Sequence, residues 1–186
     1  MHRLLKYALA LPVALLITVP AFAANPMVGG HAMSRQRNIV QNAVNSSDHT
    51  ILVKAVKQAG LAKALEGSGP YTVFAPTNAA FHKLPSGTLH ALMQNRNRAR
   101  LKKILLYHVV KGDLTYHKLW REIRANGGSA RLQTLEGGTV TARTNGPHNI
   151  VIEDGRGDVA HISTYDVRQS NGVIQVVDHV LLPPKS

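Results

Sequence analysis

The chain has 186 residues, which suffices for one domain with a sizeable core and is short for two. Hydrophobic residues make up 44% and charged residues 17%, a balance that argues against intrinsic disorder. The absence of cysteine excludes disulfides, thiolate metal sites and cysteine nucleophiles. Aromatic residues, at 5%, are too few for a platform that stacks single-stranded nucleic acid.

Residues 1–23 have the pattern of a signal peptide. Arg3 and Lys6 precede an uncharged apolar stretch over residues 7–19, and Ala21-Phe22-Ala23 matches the small-x-small pattern of signal peptidase sites. The apolar stretch is shorter than the roughly twenty residues that a membrane-spanning helix needs. We therefore predict cleavage after Ala23, export and release, with no transmembrane segment after cleavage.

The formal net charge is +12, and the basic residues are concentrated in the first part of the chain. Residues 24–131 contain 16 Lys and Arg against 4 Asp and Glu, whereas residues 132–186 contain 4 against 6. A basic protein outside the cytoplasm is attracted to anionic polymers and lipid headgroups. We expect extracellular or envelope proteins, anionic polysaccharide or a lipid surface as partners, and no nucleic acid.

Residues 24–37 are poor in apolar side chains and contain Pro26, Gly29 and Gly30, which predicts a flexible lead-in to a domain over residues 38–184. Apolar periodicity and capping residues then predict a series of helices. They are expected at 38–44, from the N-cap Ser47 to Gly60, from the N-cap Thr77 through Phe81, from Thr88, over 97–109, and from the N-cap Thr115 to Gly127. One early strand is expected at 71–75 and should stop at Pro76, which cannot donate to a ladder.

The helix at 97–109 has the clearest pattern. Leu101, Ile104, Leu105 and His108 recur at the spacing of one buried helix face. Five basic residues crowd the start and the outer side of this helix: Arg96, Arg98, Arg100, Lys102 and Lys103. Such a run could dock an anionic partner, although an ordinary solvated helix face explains it as well.

Beyond Gly128 the apolar period changes from that of a helix to that of a strand. Turn pairs such as Asn145-Gly146 and Asn171-Gly172 separate the apolar runs and favour tight hairpins. The predicted strands are 130–135, 139–144, 149–153, 159–163, 173–177 and 180–182. Helices followed by an antiparallel sheet indicate an α+β fold.

The sequence contains no recognised catalytic signature. It has no Gly-x-Ser-x-Gly elbow, no His-Glu-x-x-His pair and no phosphate-binding Gly-x-x-x-x-Gly-Lys loop. The histidines beyond residue 23 are numerous, but none lie two or four apart, the spacings of a local chelate on a strand or a helix. We therefore predict a protein that is not an enzyme and that has no cofactor and no metal site.

Three segments carry a resemblance to a known family. Residues 71–81 (YTVFAPTNAAF) resemble the first conserved box of fasciclin (FAS1) domains, residues 104–110 (ILLYHVV) the central Tyr-His motif, and residues 171–183 (NGVIQVVDHVLLP) the second box. The resemblance implies two small β-sheets in a wedge or sandwich with an N-terminal helical layer, as in secreted mycobacterial antigens of one such domain. It also implies a role in extracellular adhesion, as in periostin and fasciclin I.

The residues that match the family motifs are Thr77, Asn78, Phe81, Tyr107, His108, Asn171, Gly172 and Asp178. We expect structural roles for them. Thr77 should cap a helix, His108 should be a hydrogen-bonded core group, and Asp178 needs donors if it is buried among valines. Asn78 and Gln175 stand where many members of the family have Asp and His.

The tripeptide Arg156-Gly157-Asp158 lies in the predicted turn between two strands, the exposed setting in which integrins read this sequence. An ordinary hairpin turn explains the same residues, because glycine serves the backbone geometry of such turns. The integrin-binding sequences of animal family members have no clear counterpart elsewhere in the chain. The turn is therefore only a candidate interaction site.

Together these features predict a secreted or periplasmic fasciclin-like monomer that mediates cell adhesion or interaction with a surface or matrix. One alternative is a periplasmic carrier, in which a cavity between sheet and helices holds an apolar molecule or converging histidines hold a metal ion. Another is a stress-associated envelope protein whose basic face binds a polymer.

Overall fold

A computed structural model describes residues 25–185, so the predicted signal peptide at 1–23 lies outside the described residues. The helices are α1 (Ile39–Ala43), α2 (Thr50–Ala59), α3 (Ala62–Leu65), α4 (Asn78–His82), α5 (Thr88–Leu92), α6 (Arg98–Tyr107) and α7 (Tyr116–Ala125). The strands are β1 (Met27–Val28), β2 (His31–Ala32), β3 (Tyr71–Pro76), β4 (Val109–Lys111), β5 (Ser129–Gln133), β6 (Thr139–Asn145), β7 (Asn149–Glu153), β8 (Val159–Gln169) and β9 (Gly172–Val177). Short 3-10 turns at Ser47–His49 and Asn95–Asn97 precede α2 and α6. No helix within residues 25–185 is long and apolar enough to cross a membrane.

Seven strands form one sheet in the order β4-β3-β9-β8-β7-β6-β5, and β1 and β2 form a separate ribbon. Neighbouring strands are antiparallel except β3 and β9, which run parallel with Tyr71 opposite Gly172. The prediction of an antiparallel sheet is therefore right except at this pair. The parallel pair arises because β3 leads into the helices, and the chain returns beside β3 only after β8 has turned into β9.

The long strand β8 divides the sheet into two halves. Its first residues, Val159 to His161, pair with β7, whereas the stretch from Ile162 to Gln169 pairs with β9. Register shifts between Ile162 and Val167 interrupt the ladder there, and such irregularities bend a strand. The α+β class is confirmed, and the two halves of the sheet are joined through this interrupted strand.

Two clusters of buried apolar side chains hold the fold together. The first lies between the helices and one half of the sheet and includes Leu101 and Ile174. The second is enclosed by the other half of the sheet and α7, and it includes Tyr107, Ile123 and Ile152. Each fully buried side chain of this size contributes about 1.5–3 kcal/mol to stability. Because Leu101 and Tyr107 belong to different clusters, α6 links the two.

The segment 24–37, expected to be a flexible lead-in, forms ordered structure in its described part. The strands β1 and β2 pair with Met27 opposite Ala32, and the side chains of Val28 and Met33 are buried in the first cluster. Ser47 Oγ donates a hydrogen bond to the carbonyl of Gly29 at 2.9 Å, which fastens the turn of the ribbon. The low apolar content of the segment wrongly predicted flexibility, because two buried apolar side chains suffice to pack it against the domain. The folded unit therefore begins before residue 38.

Three further local predictions are wrong. The predicted strand at 180–182 is irregular, because the N–H groups of Leu181 and Leu182 donate to side chains elsewhere instead of to a ladder. Ser47 does not cap α2, since it lies in the 3-10 turn and its hydroxyl is bonded to Gly29. Thr115 stands at the N-cap position of α7, but its side chain makes no capping hydrogen bond.

Candidate functional site

A groove of about 320 Å³ lies where the helices meet the β7–β8 turn and the segment after β9. Its apolar lining consists of Leu84, Pro85, Leu92, Ile104, Val180 and Leu182. Its charged and titratable lining consists of Lys83, Arg100, Arg156, Asp158 and His179. The fold thus brings one residue of the basic run at 96–103 together with two residues of the Arg-Gly-Asp turn. These two candidates were unconnected in the sequence.

The Arg156-Gly157-Asp158 turn is built around the carboxylate of Asp154. Oδ1 of Asp154 accepts hydrogen bonds from the backbone N–H groups of Arg156 at 2.8 Å and Asp158 at 3.0 Å, and Oδ2 accepts from the N–H of Leu182 at 2.8 Å. Gly157 has a φ of 86°, in the left-handed region that favours glycine. Nε of Arg156 donates to the carbonyl of Pro183 at 3.0 Å. The three residues are exposed, as expected, but the turn is fastened to the segment after β9.

Asp178 forms a polar cluster beside the groove. Its carboxylate accepts hydrogen bonds from the backbone N–H of His161 at 2.8 Å, from Nδ1 of His179 at 2.8 Å and from Nζ of Lys83 at 3.3 Å. Partial burial by itself would raise the pKa of Asp178, but the hydrogen bonds from His179, His161 and Lys83 outweigh it and lower the pKa to about 2. The carboxylate is therefore ionised at neutral and mildly acidic pH and partly neutralises Lys83.

The five basic residues of the 96–103 run are all exposed, and we call them the α6 basic face: Arg96, Arg98, Arg100, Lys102 and Lys103. The opposite side of α6 buries Leu101, Ile104 and Leu105, so the two sides of the helix are sharply divided. Within residues 25–185, none of the five cations is paired with a carboxylate. The face therefore presents its charges to solvent without internal neutralisation.

Within residues 25–185, neither a metal site nor a roomy enclosed cavity between the first helices and the sheet is evident. Among residues 25–185, no three His, Asp or Glu side chains are placed to hold a metal ion. An apolar cavity between α1, α2 and β3, lined in part by Val56 and Phe74, measures about 50 Å³. Pockets that hold small molecules typically measure roughly 300–1,000 Å³. The cavity therefore gives a small-ligand carrier no support.

A family model described as the Fasciclin domain matches residues 47–183. The chain belongs to the fasciclin family. It is 37% identical to protein sll1483 of Synechocystis over 180 residues, which cover 96% of this chain and 91% of that protein. It is 36% identical to immunogenic protein MPB70 of Mycobacterium bovis over 168 residues, which cover 87% of this chain and 78% of that protein. The match to periostin of Homo sapiens is 28% identical over 145 residues and covers 77% of this chain but only 16% of that protein.

Among solved structures, the FAS1 domain pair of the insect cell adhesion molecule fasciclin I is similar, with a TM-score of 0.70 and 18% sequence identity. The match covers 78% of this chain and 51% of that one, so the present chain spans about half of the domain pair. At this identity the similarity shows the fold. It supports the fasciclin architecture inferred from the three motifs.

The first fasciclin box joins two helices. Oγ1 of Thr77 accepts a hydrogen bond from the N–H of Ala80 at 3.2 Å and so caps α4. Oδ1 of Asn78 accepts from the N–H of Ile51 at 2.9 Å, while its Nδ2 donates to the carbonyl of Ser47 at 2.9 Å. Asn78 therefore satisfies backbone groups at the start of α2, a helix distant in sequence. Phe81, also in this box, is buried in the first apolar cluster.

The Tyr-His motif ends α6 with two buried polar groups. Nδ1 of His108 lies 2.8 Å from the carbonyl of Ile104, and Nε2 of His108 accepts a hydrogen bond from the N–H of Leu181 at 2.9 Å. This pattern requires a neutral ring with its proton on Nδ1. Burial lowers the pKa of His108 to about 4. The hydroxyl of Tyr107 donates to the carbonyl of Thr139 at 2.6 Å.

The second fasciclin box begins with two residues that join distant segments. Oδ1 of Asn171 accepts a hydrogen bond from the N–H of Ile39 at 3.0 Å, and its Nδ2 donates to the carbonyls of Leu65 and Gly67, both at 2.8 Å. At Gly172 the backbones of β9 and β3 come so close that a Cβ atom would lie 2.0 Å from the carbonyl oxygen of Tyr71. These two positions lock β9 against β3 and the first helices.

Several residues that shape the site were not anticipated from the sequence. Lys83 and His179 line the groove, and Asp154 organises its turn. Asp154 directly precedes Gly155, and Asp-Gly is a common turn pair. Asp side chains commonly bond to backbone N–H groups two residues on, so this pair could have pointed to Asp154. Lys83 and His179 come from separate elements, and no local pattern could have paired them.

Proposed function

We propose that this fasciclin protein is exported, is not an enzyme, and attaches to anionic polysaccharide of the cell envelope or extracellular matrix through its α6 basic face. The observation that carries the proposal is the group of five exposed cations, none of which is paired with a carboxylate within residues 25–185. Such charges attract a polyanion over about 8–10 Å at physiological salt. A polymer engages several of them at once, which raises the overall affinity above that of each contact.

Neighbouring helices extend the positive surface. Helix α2 packs against α6, and its Lys54 and Lys57 are exposed. Lys63 of α3 is exposed as well. A run of acidic sugar units can therefore meet cations of several helices. The breadth of this surface favours a polymer over a small anion.

The groove adds a place where charge and apolar surface meet. Arg100 belongs to the α6 basic face and also lines the groove, together with Arg156 of the β7–β8 turn. An acidic sugar has a carboxylate for the arginines and an apolar ring face for partly exposed side chains such as Leu84. In this proposal the Arg-Gly-Asp turn forms part of the groove wall. Hydrogen bonds to Asp154 and to the carbonyl of Pro183 hold it in place.

The relatives support the adhesive part of the proposal. Fasciclin I, whose domain pair has the same fold, is an insect cell adhesion molecule. A fold does not determine a function, so the argument for this chain depends on its own charged face. Attachment to a polymer is a form of adhesion that a single domain can provide.

The test compares two triple variants of equal charge change. Arg96→Glu, Lys102→Glu and Lys103→Glu are combined to reverse the α6 basic face, and Arg121→Glu, Arg124→Glu and Arg131→Glu are combined as the control. All six side chains are exposed, so both variants should fold with changes within about 0.5 kcal/mol per site. Retention on immobilised alginate at low salt should be lost in the first variant and largely kept in the second.

Two other outcomes discriminate between mechanisms. Equal loss in both variants would mean that net charge, and not this face, governs retention, and the proposal would be wrong. Retention on vesicles of anionic phosphatidylglycerol, with none on alginate, would assign the face to a membrane surface instead. Arg100→Ala and Arg156→Ala should each weaken alginate binding further if the groove seats a carboxylate.

A further inference from the structure

The sheet has two edge strands that meet at a single point. β4 and β5 stand at opposite ends of the strand order, and an isolated antiparallel bridge joins Val110 to Thr134. The N–H of Leu135 donates to the carbonyl of Val109 at 2.7 Å beside this bridge. Beyond it the edges separate, and a groove of about 980 Å³ opens between them. Residues 129–135 supply one wall, and Lys111, Leu114 and Glu122 contribute to the other.

The hydrogen bonds around β5 show which backbone groups face this groove. The N–H of Thr134 donates to the carbonyl of Gly138 in the hairpin with β6, at 2.9 Å. Since backbone groups alternate in direction along a strand, Leu132 and Ala130 also bond to β6, opposite Val140 and Ala142. The N–H and C=O groups of Ser129 and Arg131 must then point outward, into the groove. Outside the β5–β6 ladder, none of the backbone hydrogen bonds of residues 25–185 involves these groups.

We propose that this edge binds an extended polypeptide segment with acidic side chains, which pairs with β5 as an added strand. Only another main chain offers N–H and C=O groups at the two-residue repeat that Ser129 and Arg131 present. The side chains that flank the edge are positive, because Lys111 and Arg131 are both exposed at the groove, against the single acid Glu122. A segment with alternating acidic residues therefore matches both the backbone and the charge.

A second copy of this chain is a poorer occupant. If two β5 edges paired antiparallel about their centres, the two Arg131 side chains would lie opposite each other. Like charges directly opposite on paired strands are destabilising. Charged residues on edge strands commonly prevent such self-association. Arg131 thus disfavours pairing between the β5 edges of two copies and attracts an acidic strand. This site lies at the edges of the sheet and shares no residue with the α6 basic face, so it does not depend on the polysaccharide proposal.

A proline substitution separates main-chain pairing from charge. Because the N–H of Arg131 points away from β6, Arg131→Pro removes one outward donor without breaking the ladder inside the sheet, and proline is tolerated on edge strands in that orientation. Arg131→Ala is the matched control, since it removes the same positive charge and keeps the N–H. The probe is a fluorescein-labelled peptide of alternating Val and Glu, followed by fluorescence anisotropy.

We expect the wild type to bind this peptide and to ignore the same peptide with alternate amides N-methylated. Arg131→Ala should weaken binding, and Arg131→Pro should bind at least about fivefold more weakly than Arg131→Ala, the effect of one lost hydrogen bond. The reversal of Arg96, Lys102 and Lys103 should leave peptide binding unchanged. Equal affinities of the Pro and Ala variants, tight binding of the methylated peptide, or no binding to the wild type would each overturn the proposal.

Hydrogen exchange of the wild type tests the same geometry without a substitution that disturbs folding. In the free protein the amides of Ser129 and Arg131 should exchange rapidly, whereas those of Ala130 and Leu132 should be protected by the pairing with β6. Addition of the Val-Glu peptide should slow exchange at Ser129 and Arg131. Exchange at these two amides that does not change at saturating peptide would contradict strand addition, whatever the behaviour of the proline variant.

Discussion

The imidazole of His108 links the end of α6 to the segment after β9 as a neutral donor and acceptor. Its hydrogen bonds to Ile104 and Leu181 leave no room for a second proton without the loss of one of them. The same ring is 2% exposed, so a charge there would lack solvation. This residue is better explained as a structural group than as a base or a metal ligand.

This burial predicts how stability depends on pH. The folded-state pKa of His108 is about 4, below the ordinary value of 6.5, so the unfolded chain binds a proton more readily between these pH values. The stability that the neutral, buried ring gives the folded state is therefore fully present above pH 6.5 and is lost as the pH falls towards 4. It amounts to roughly 3 kcal/mol. Urea unfolding at pH 7 and pH 5.5 should show lower stability at pH 5.5.

A pair of variants assigns this pH dependence. His108→Asn should be less stable than the wild type at pH 7. Its free energy of unfolding should also differ much less between pH 7 and pH 5.5 than that of the wild type. His49 is also buried, and burial lowers its pKa too, so His49→Asn is the matched control. This variant should keep the part of the pH dependence of stability that His108 causes. An unchanged slope in His108→Asn would show that this ring is not the group that titrates.

Asn78 is the second residue whose role can be isolated. Its side chain satisfies the N–H of Ile51 in the first turn of α2, so Asn78→Ala should cost about 1–2 kcal/mol of unfolding free energy, the usual loss for a capping group. Asn78→Asp keeps the acceptor and places a negative charge at a helix start, but it cannot donate to Ser47. We expect it to be close to wild type in denaturant titrations. Equal losses in the two variants would mean that the bond to Ser47 is the important one.

At the scale of elements, several helices begin on side chains supplied from elsewhere in the chain, and Asn171 serves α1 in this way. Asn78 serves α2, and Oδ1 of Asp166 in β8 accepts from the N–H of Tyr116 in α7 at 2.7 Å. Gln175 is fully buried and fixes Asp166 by accepting from its N–H at 3.0 Å and donating to its Oδ1 at 2.9 Å. The helix starts are thereby coupled to the sheet.

The cap of α7 can be tested without backbone strain. Asp166 has a φ of 56°, so Asp166→Gly removes the carboxylate and tolerates the conformation. The N–H of Tyr116 and the amide of Gln175 then lose a partner, which should cost about 1–3 kcal/mol. Hydrogen exchange in the first turn of α7 should accelerate. Thr115→Ala, at the nominal N-cap that makes no bond, should change that exchange much less.

These contacts explain which parts of the fold could be predicted from the sequence and which could not. Local patterns located α1, α2, the Thr77 cap and the hairpins of β5 to β7, because each depends on neighbours in the chain. The predicted caps at Ser47 and Thr115 were wrong because distant side chains, Asn78 and Asp166, satisfy those helix starts. The groove at Arg100 and Arg156 likewise depends on tertiary packing, which no spacing in one sequence reports.

For the molecule as a whole, the ribbon of β1 and β2 sets a condition on processing. Val28 and Met33 fill part of the first core cluster, so a mature protein that lacked them would leave a cavity. Loss of a large buried apolar side chain costs about 2–5 kcal/mol. Cleavage after Ala23, as the signal pattern predicts, removes nothing of the ribbon, which begins at Met27.

Mass spectrometry of the extracytoplasmic fraction should therefore find an N-terminus at Ala24 or Asn25. A synthetic truncation that begins at Asn38 is the informative control, because it keeps α1 to α7 and the seven-stranded sheet but lacks Val28 and Met33. We expect it to unfold at clearly lower denaturant concentration than the chain that begins at Ala24. Intact Met1 on the exported protein would contradict the processing argument. Equal stability of the two chains would show that the ribbon is dispensable to the folded domain.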